Sequence, residues 1–361
     1  MPTAIDSAFS FPVSAPGAWR SRRPWRVGSA ALVAAMVSGT GFATSPAASA
    51  APSIALSVPG PAPGTIFATN PGAAGGGGVG PGSITLYRPN STGDALPEAV
   101  ITKGVDGPNG LAFDASGDLW VSNLGDSTVA EYSKSELAKV SPAPSVIISV
   151  NHDGGAIAFG SSGNLWVDNG SNNTVTEYTK AELSGSGSPA PRVTITNSRC
   201  LGSVGLAVDP SGNLWVEGTP SVTTDAVCEY PKAQLIKTRP PAPRATISPG
   251  YQLWDFTFDS SGNLWVPEYG QNRFAEYTKA ELTRSGSPPA HVTIIGSIRQ
   301  ETPTDLAFDP SGDLWVLYNS SQALVEYTKA ELTKSGSPTP TRTIQGAATG
   351  LNSPLYLAIE P

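Results

Sequence analysis

The tripeptide Leu-Trp-Val occurs five times at nearly constant separation, placing Trp120, Trp166, Trp215, Trp265 and Trp315 at spacings of 46, 49, 50 and 50 residues. A chain of 361 residues is too long for one undivided hydrophobic core, so a repeat of this period decides the architecture before any local propensity does. Each unit opens with an apolar run such as "LAFD" (111–114), turns at "ASGD" or "PSGN", and continues into "LWV". Gly117, Gly163, Gly212, Gly262 and Gly312 supply the positive φ that such a turn needs. Asp114, Asp209, Asp259 and Asp309 can accept its backbone N–H groups, and Gly160 stands in their place in one unit. A third segment ends in Glu-Tyr ("TVAEY", "TVTEY", "AVCEY", "RFAEY", "LVEY"). In the "TKAEL" that follows, Thr278 and Glu281, like Thr328 and Glu331, have capping-box spacing, which predicts a single helical turn. A last segment such as "VTI" (193–195) follows "SGSP", where proline is tolerated on an outer edge. Four short strands in fifty residues describe a propeller blade.

The ends of the chain complete the count. "IFATN" (66–70), "ITLY" (84–87) and "AVIT" (99–102) have the pattern of second, third and fourth strands, while the C-terminal "LYLAIEP" has that of a first strand. Joined, they make a sixth blade. The predicted fold is therefore all-β: a six-bladed β-propeller of four-stranded antiparallel blades, closed by N-terminal strands plus one C-terminal strand. Closure removes the exposed sheet edges that an open stack would leave.

Residues 1–50 are expected to be a secretory signal, with Arg20, Arg22, Arg23 and Arg26 preceding a short apolar run that ends in "AASA". "SRRPWRV" resembles a twin-arginine signal, so either that route or the general secretory route is compatible. The run is too short and too glycine-interrupted for a membrane span. Residues 51–63 read as a Pro/Gly-rich linker and 64–361 as the propeller. Without the first fifty residues the chain carries 18 basic and 28 acidic residues, a net of −10, which disfavours nucleic acid and anionic lipid. In an oxidising compartment Cys200 and Cys228 are a candidate disulfide. A monomer is expected.

"GLAFDASGDLWVSN", "GLAVDPSGNLWVEG" and "GQNRFAEY" resemble NHL-repeat propellers of the secreted bacterial type, over residues 64–361. That resemblance implies the fold but no one function, since relatives of this kind include extracellular sensor domains, binding scaffolds and enzymes. In blade count the chain is also similar to gluconolactonase-type lactonases, which use a central divalent metal. In repeat style it is similar to streptogramin lyases, which have seven blades and depend on histidines that are scarce here.

Functional residues of a propeller belong where the turn after each second strand and the link into each first strand converge on the channel. Candidates on that face are Asn123, Asp168, Glu217, Glu268 and Tyr318 after the "LWV" strands, together with Trp254 and His152 on the links. Asp255 and Asp305 stand where other blades have Gly110, Ala156 and Gly205. Carboxylates so grouped form an acidic rim suited to a hard cation such as Ca²⁺, with Asp255, Glu268 and Asp305 as its ligands. Trp254 could stack on a sugar or an aromatic ligand. His291 sits in an outer strand at the place of Arg192, Arg244 and Arg342 and reads as surface structure, and His152 beside Asp153 is the one histidine placed for acid–base work. No GxSxG, HExxH or CxxC occurs, and "PGAAGGGGVGPG" (71–82) lacks the Lys-Ser/Thr of a phosphate loop. The expectation is a non-catalytic propeller that binds an extracellular ligand or protein at this face without an obligatory cofactor. A divalent-metal-dependent hydrolase or lyase is the alternative.

Overall fold

The computed structural model describes residues 60–72, 80–150, 154–196, 205–218, 225–236, 242–298 and 301–361. Its strands form six four-stranded antiparallel sheets. Blade I joins β1 (Ile66–Asn70), β2 (Ser83–Tyr87) and β3 (Ala99–Ile101) to the C-terminal β24 (Leu357–Ile359), in the order β24-β1-β2-β3. Blade II contains β4 (Pro108–Phe113), β5 (Leu119–Asn123), β6 (Thr128–Tyr132) and β7 (Val146–Ser149). Blade III contains β8 (Ile157–Phe159), β9 (Leu165–Asn169), β10 (Thr174–Tyr178) and β11 (Val193–Thr196). Blade IV follows with β12 (Leu206–Val208), β13 (Leu214–Gly218), β14 (Ala226–Tyr230) and β15 (Ala245–Ile247). Blade V has β16 (Thr257–Phe258), β17 (Leu264–Glu268), β18 (Arg273–Tyr277) and β19 (Val292–Ile295). Blade VI has β20 (Pro303–Phe308), β21 (Leu314–Tyr318), β22 (Ala323–Tyr327) and β23 (Arg342–Gln345).

Contacts run β4 to β8, β12, β16, β20, β24 and back to β4, so the six innermost strands close a ring. The blade shared by the two termini is built as the sequence predicts, with Ile66 opposite Ile359, Phe67 opposite Ala358 and Ala68 opposite Leu357. Among the described residues no helix is long and apolar enough to cross a membrane.

The repeated turn owes its shape to its aspartate. Asp309 Oδ1 accepts the N–H groups of Ser311 and Asp313 at 2.8 and 2.9 Å, and Asp114, Asp209 and Asp259 do the same in their own blades. Gly312 takes φ of 84° there, a conformation that costs a residue with a Cβ. The predicted helical turns appear as α1 (Lys134–Leu137) and as 3₁₀ turns over 232–234, 281–283 and 331–333. Only the carboxylate half of the box forms at 278–281, where Thr278 N and Oγ1 both donate to Glu281 Oε2 at 2.7 Å.

The apolar core is divided into six clusters, each lying between two neighbouring blades, and Tyr356, at the entry to β24, joins the one between blades III and IV. Trp265 and Phe274 of blade V, for example, pack with Leu306, Leu314, Val316 and Tyr327 of blade VI. Each repeated indole reaches forward to the next blade's innermost strand: the Trp120, Trp215 and Trp265 rings meet Phe159, Phe258 and Phe308 at 5.8, 5.5 and 5.9 Å. Blade I has no tryptophan, and Phe67 meets Phe113 in the same way at 5.1 Å.

In three blades the Glu of the Glu-Tyr pair is held from the fourth strand. Arg192 bonds Glu177 and Arg244 bonds Glu229, while Arg342 reaches Glu326 at 2.5 Å. One sequence alignment is corrected here. Arg192, Arg244 and His291 donate their backbone N–H to that glutamate's carbonyl, but in blade VI it is Thr341 that does so, so Arg342 lies one residue later in register.

Candidate functional site at the channel mouth

Each innermost strand has a sheet partner on one side only and turns its other edge to the central channel. That channel encloses about 570 Å³. At its loop-face end the inner strands bring one register into a ring: Gly110, Ala156, Gly205, Asp255, Asp305 and Tyr356. Below it the lining is apolar, including Phe113, Phe159, Phe258, Phe308 and Ile359, down to Asp114 and Pro361 at the opposite end. Packing excludes a larger residue at Gly110 and leaves little room for one at Gly205. A Cβ on Gly110 would stand 2.9 Å from the Gly155 carbonyl oxygen, and one on Gly205 would stand 3.1 Å from Asp255 Oδ1.

Asp255 and Asp305 are held firmly. Asp305 Oδ1 accepts from the Leu306 N–H and Oδ2 from the Leu357 N–H, both at 2.6 Å, so this one carboxyl ties blade VI to blade I. Asp255 Oδ1 accepts from the Phe256 N–H at 2.7 Å, and its carboxyl also accepts from the Leu206 backbone of blade IV. Burial pushes Asp305 up to about 7 despite those two donors. Asp255 is raised well above the carboxylate range by burial first, then by the neighbouring Asp305 and by Glu217.

Two more of the predicted carboxylates reach the same place. Asp168 and Glu217, one residue before the ends of β9 and β13, are 0% and 3% exposed and act electrostatically on Tyr356 together with Asp255 and Asp305. Burial first, then those four carboxyl groups, drives the Tyr356 hydroxyl far above its ordinary range. A fifth carboxyl joins through Asp225, which shares a hydrogen bond with Glu217 and accepts the Leu253 N–H on Oδ2 at 2.7 Å. The mouth is thus a set of buried acids around one tyrosine, and they cannot all be ionised without a cation among them.

The other candidates stand elsewhere. Asn123 braces the link into blade II: its Nδ2 donates to the Gly104 carbonyl at 3.0 Å and to Thr128 Oγ1 at 3.1 Å, and its Oδ1 accepts the Asp106 N–H at 3.1 Å. Tyr318 is fully buried in the apolar cluster between blades V and VI. Glu268 is buried in a salt bridge with Arg273, whose guanidinium lies 4.5 Å over the Tyr251 ring. Burial raises the Glu268 carboxyl while Arg273 opposes the rise, and none of the mouth carboxyls is among its charge partners. Trp254 is half-buried and stacks on the exposed Tyr269 at 5.9 Å and 23°. His152 and Cys200 lie outside the described residues, and Cys228 is fully buried in β14. Asp255, Glu268 and Asp305 do not form a three-ligand set. Among the described residues the set with atoms within 4.8 Å of one another is Asp309, Asp313 and Glu326, whose Glu326 is held by Arg342.

Asp225 and Tyr356 were not among the sequence candidates. For Tyr356 a signal existed: aligning "YLAI" with "DLAF" puts it in the register of Asp255 and Asp305. Asp225 has no such signal, because the connection before β14 is seven residues long where blades II, III, V and VI have four, so no register of those blades transfers to it.

Fold and mouth together define the class as a closed six-bladed β-propeller with an acidic channel mouth, the architecture that the NHL resemblance implied. No known family profile and no curated protein matches the chain. Among solved structures, a chain of the nidogen/laminin complex is similar with a TM-score of 0.59 at 13% identity, covering 83% of this chain and 99% of that one. Virginiamycin B lyase from Staphylococcus aureus follows with a TM-score of 0.44, 14% identity and coverages of 67% and 71%. The calcium-binding protein regucalcin from Agrobacterium tumefaciens has a TM-score of 0.43, 14% identity and coverages of 64% and 73%. At these identities the likeness concerns the fold alone.

Proposed function

We propose that this protein is an exported, non-catalytic propeller that binds a cationic ligand, or a cationic loop of a protein, at the acidic mouth of its channel. The observation that carries this reading is the convergence of Asp168, Glu217, Asp255 and Asp305, from four successive blades, on Tyr356. Buried carboxyls at such density favour a positive guest, because the guest's charge replaces protons the acids otherwise retain. An organic ammonium suits the site better than a bare metal ion. Asp255 and Asp305 already accept backbone N–H bonds, which leaves few free oxygens for a shell of six to eight ligands. The nidogen/laminin complex illustrates the same fold in a protein assembly.

Calorimetric titration of the mature protein with 1,4-diaminobutane and, separately, with Ca²⁺, Mg²⁺ and Mn²⁺ tests the reading. Saturable heat with the diamine, weakened at least tenfold by Asp305→Asn, is expected. Absence of diamine binding sinks it, and tight metal binding abolished by the same variant would restore the metal-dependent hydrolase.

Export carries a second expectation. The arginine-led apolar run before "AASA" places cleavage after Ala50, and an oxidising compartment pairs Cys200 with Cys228. Intact mass of the secreted protein is expected to match residues 51–361 less two hydrogens. A mass that retains the first fifty residues, or two free thiols, would refute the corresponding half.

A further inference from the structure

A second cavity lies away from the mouth, in the crevice between blades V and VI. It encloses about 420 Å³ and is lined by Asp259, Trp265, Glu276, His291, Phe308 and Lys329, among others. The crevice between blades IV and V has the same construction from equivalent residues, Asp209, Trp215, Arg244 and Lys279, yet encloses only about 70 Å³. The two differ at the fourth-strand residue that faces the buried glutamate. Arg244 extends over Glu229, donating from Nε at 2.7 Å and from a second nitrogen, and so covers it. His291 is exposed and shorter, and Glu276 is left lining the cavity while itself only 8% exposed.

The sibling blades show what this position takes. Glu177, Glu229 and Glu326 each hold a guanidinium, and in each case burial would raise the acid while the arginine opposes the rise. Glu276 receives only the electrostatic pull of His291 and a hydrogen bond from Asn263 against burial, Asp259 and Glu281. Where no cation is offered at all, Glu131 of blade II is pushed up to about 7 by burial and by Asp118 and Asp114.

An independent observation comes from the indole. Trp215 Nε1 donates to Asp209 Oδ2 at 3.0 Å, whereas Trp265 Nε1, on a side chain 3% exposed and lining the larger cavity, finds no acceptor among the described residues. A buried N–H without an acceptor is costly, and a guest carrying a carbonyl would relieve it. Lys329 does not bar a cationic guest, since its equivalent Lys279 lines the crevice that already contains Arg244.

We propose that the blade V–VI crevice binds an arginine-type ligand, its guanidinium on Glu276 and a carbonyl accepting from Trp265 Nε1, in the place that Arg244 fills within the neighbouring crevice. A planar guanidinium can donate two parallel bonds to the carboxylate, which an ammonium cannot. The site is separate from the channel mouth and does not depend on the function proposed there.

The probe is Nα-acetyl-L-arginine methylamide, titrated into the ¹⁵N-labelled mature protein while the tryptophan indole N–H signals are followed. A saturable shift of the Trp265 signal is expected, with binding at least tenfold weaker in Glu276→Gln and the lysine counterpart of the probe at least fivefold weaker. His291→Arg supplies the guanidinium from within, so it should remain folded, melt no lower than the parent and lose probe binding at least tenfold. Unchanged binding in His291→Arg overturns the proposal. So does equal binding of the two probes, or no saturable shift of the parent up to the solubility of the probe.

Discussion

Deleting residues 354–361 is expected to unfold the whole ring and not merely to fray blade I. The deletion removes β24, which supplies three paired residues to β1 and the backbone bonds from Gly64 N to Glu360 O and from Glu360 N to Thr65 O, both within 2.9 Å. It also strips Asp305 Oδ2 of its Leu357 donor, leaving a buried acceptor unpaired, and removes Glu360 from Lys134 across the blade I–II boundary. An opened ring exposes the β1 edge and the half-clusters on both sides of it. Circular dichroism during heating is the measurement. A truncated protein that melts at the parent temperature would mean that the terminal strand does not close the fold.

A higher melting temperature at pH 5 than at pH 8 is the second expectation. The Asp305 and Asp255 carboxyls stand above their ordinary value of 3.8 in the folded protein, Asp305 at about 7, so the fold retains protons that the unfolded chain gives up. Stability from this source is complete below the ordinary value and is lost as pH rises through about 7, amounting to at most ~4 kcal/mol for Asp305. Among the described residues the groups acting on the pair are Glu217 and Tyr356, with Asp168 and Asp225 next to them, all acidic, so none of these reverses the sign. Glu131 titrates in the same window and is removed by making the comparison in a Glu131→Gln background. Asp305→Asn should flatten the melting temperature between pH 5 and 8 and lower it at pH 5, where one of two backbone donors loses its acceptor. An equally steep profile in Asp305→Asn would place the pH sensitivity elsewhere.

The repeat made the fold readable down to single strands. A period near fifty and the odd "LYLAIEP" at the end were sufficient to assign β24 to blade I, because only one arrangement gives every strand a partner. The site was readable only in part. Asp255 and Asp305 stood out as departures from a register occupied elsewhere by glycine and alanine. Asp168 and Glu217 followed from their place after "LWV". Glu268 occupies a strand end of the same kind, but a neighbour in space decides its environment: Arg273, directly opposite it on β18, takes its carboxylate. The four-residue turn between 268 and 273 has the length found in blades II, III and VI, so the register itself was readable, but whether the guanidinium folds onto the carboxylate is decided by packing in space. The same limit applies to Tyr318, whose burial depends on the packing between two blades and not on its own strand.

The placement of the apolar clusters bears on how such a chain can be lengthened, shortened or recombined. No blade has a core of its own, since every cluster is shared by two neighbours. The unit that can be copied or exchanged without exposing a half-core is therefore the stretch from one tryptophan-bearing strand to the next. A cut there preserves each boundary whole, and the sheet, though the visible module, is not the interchangeable one.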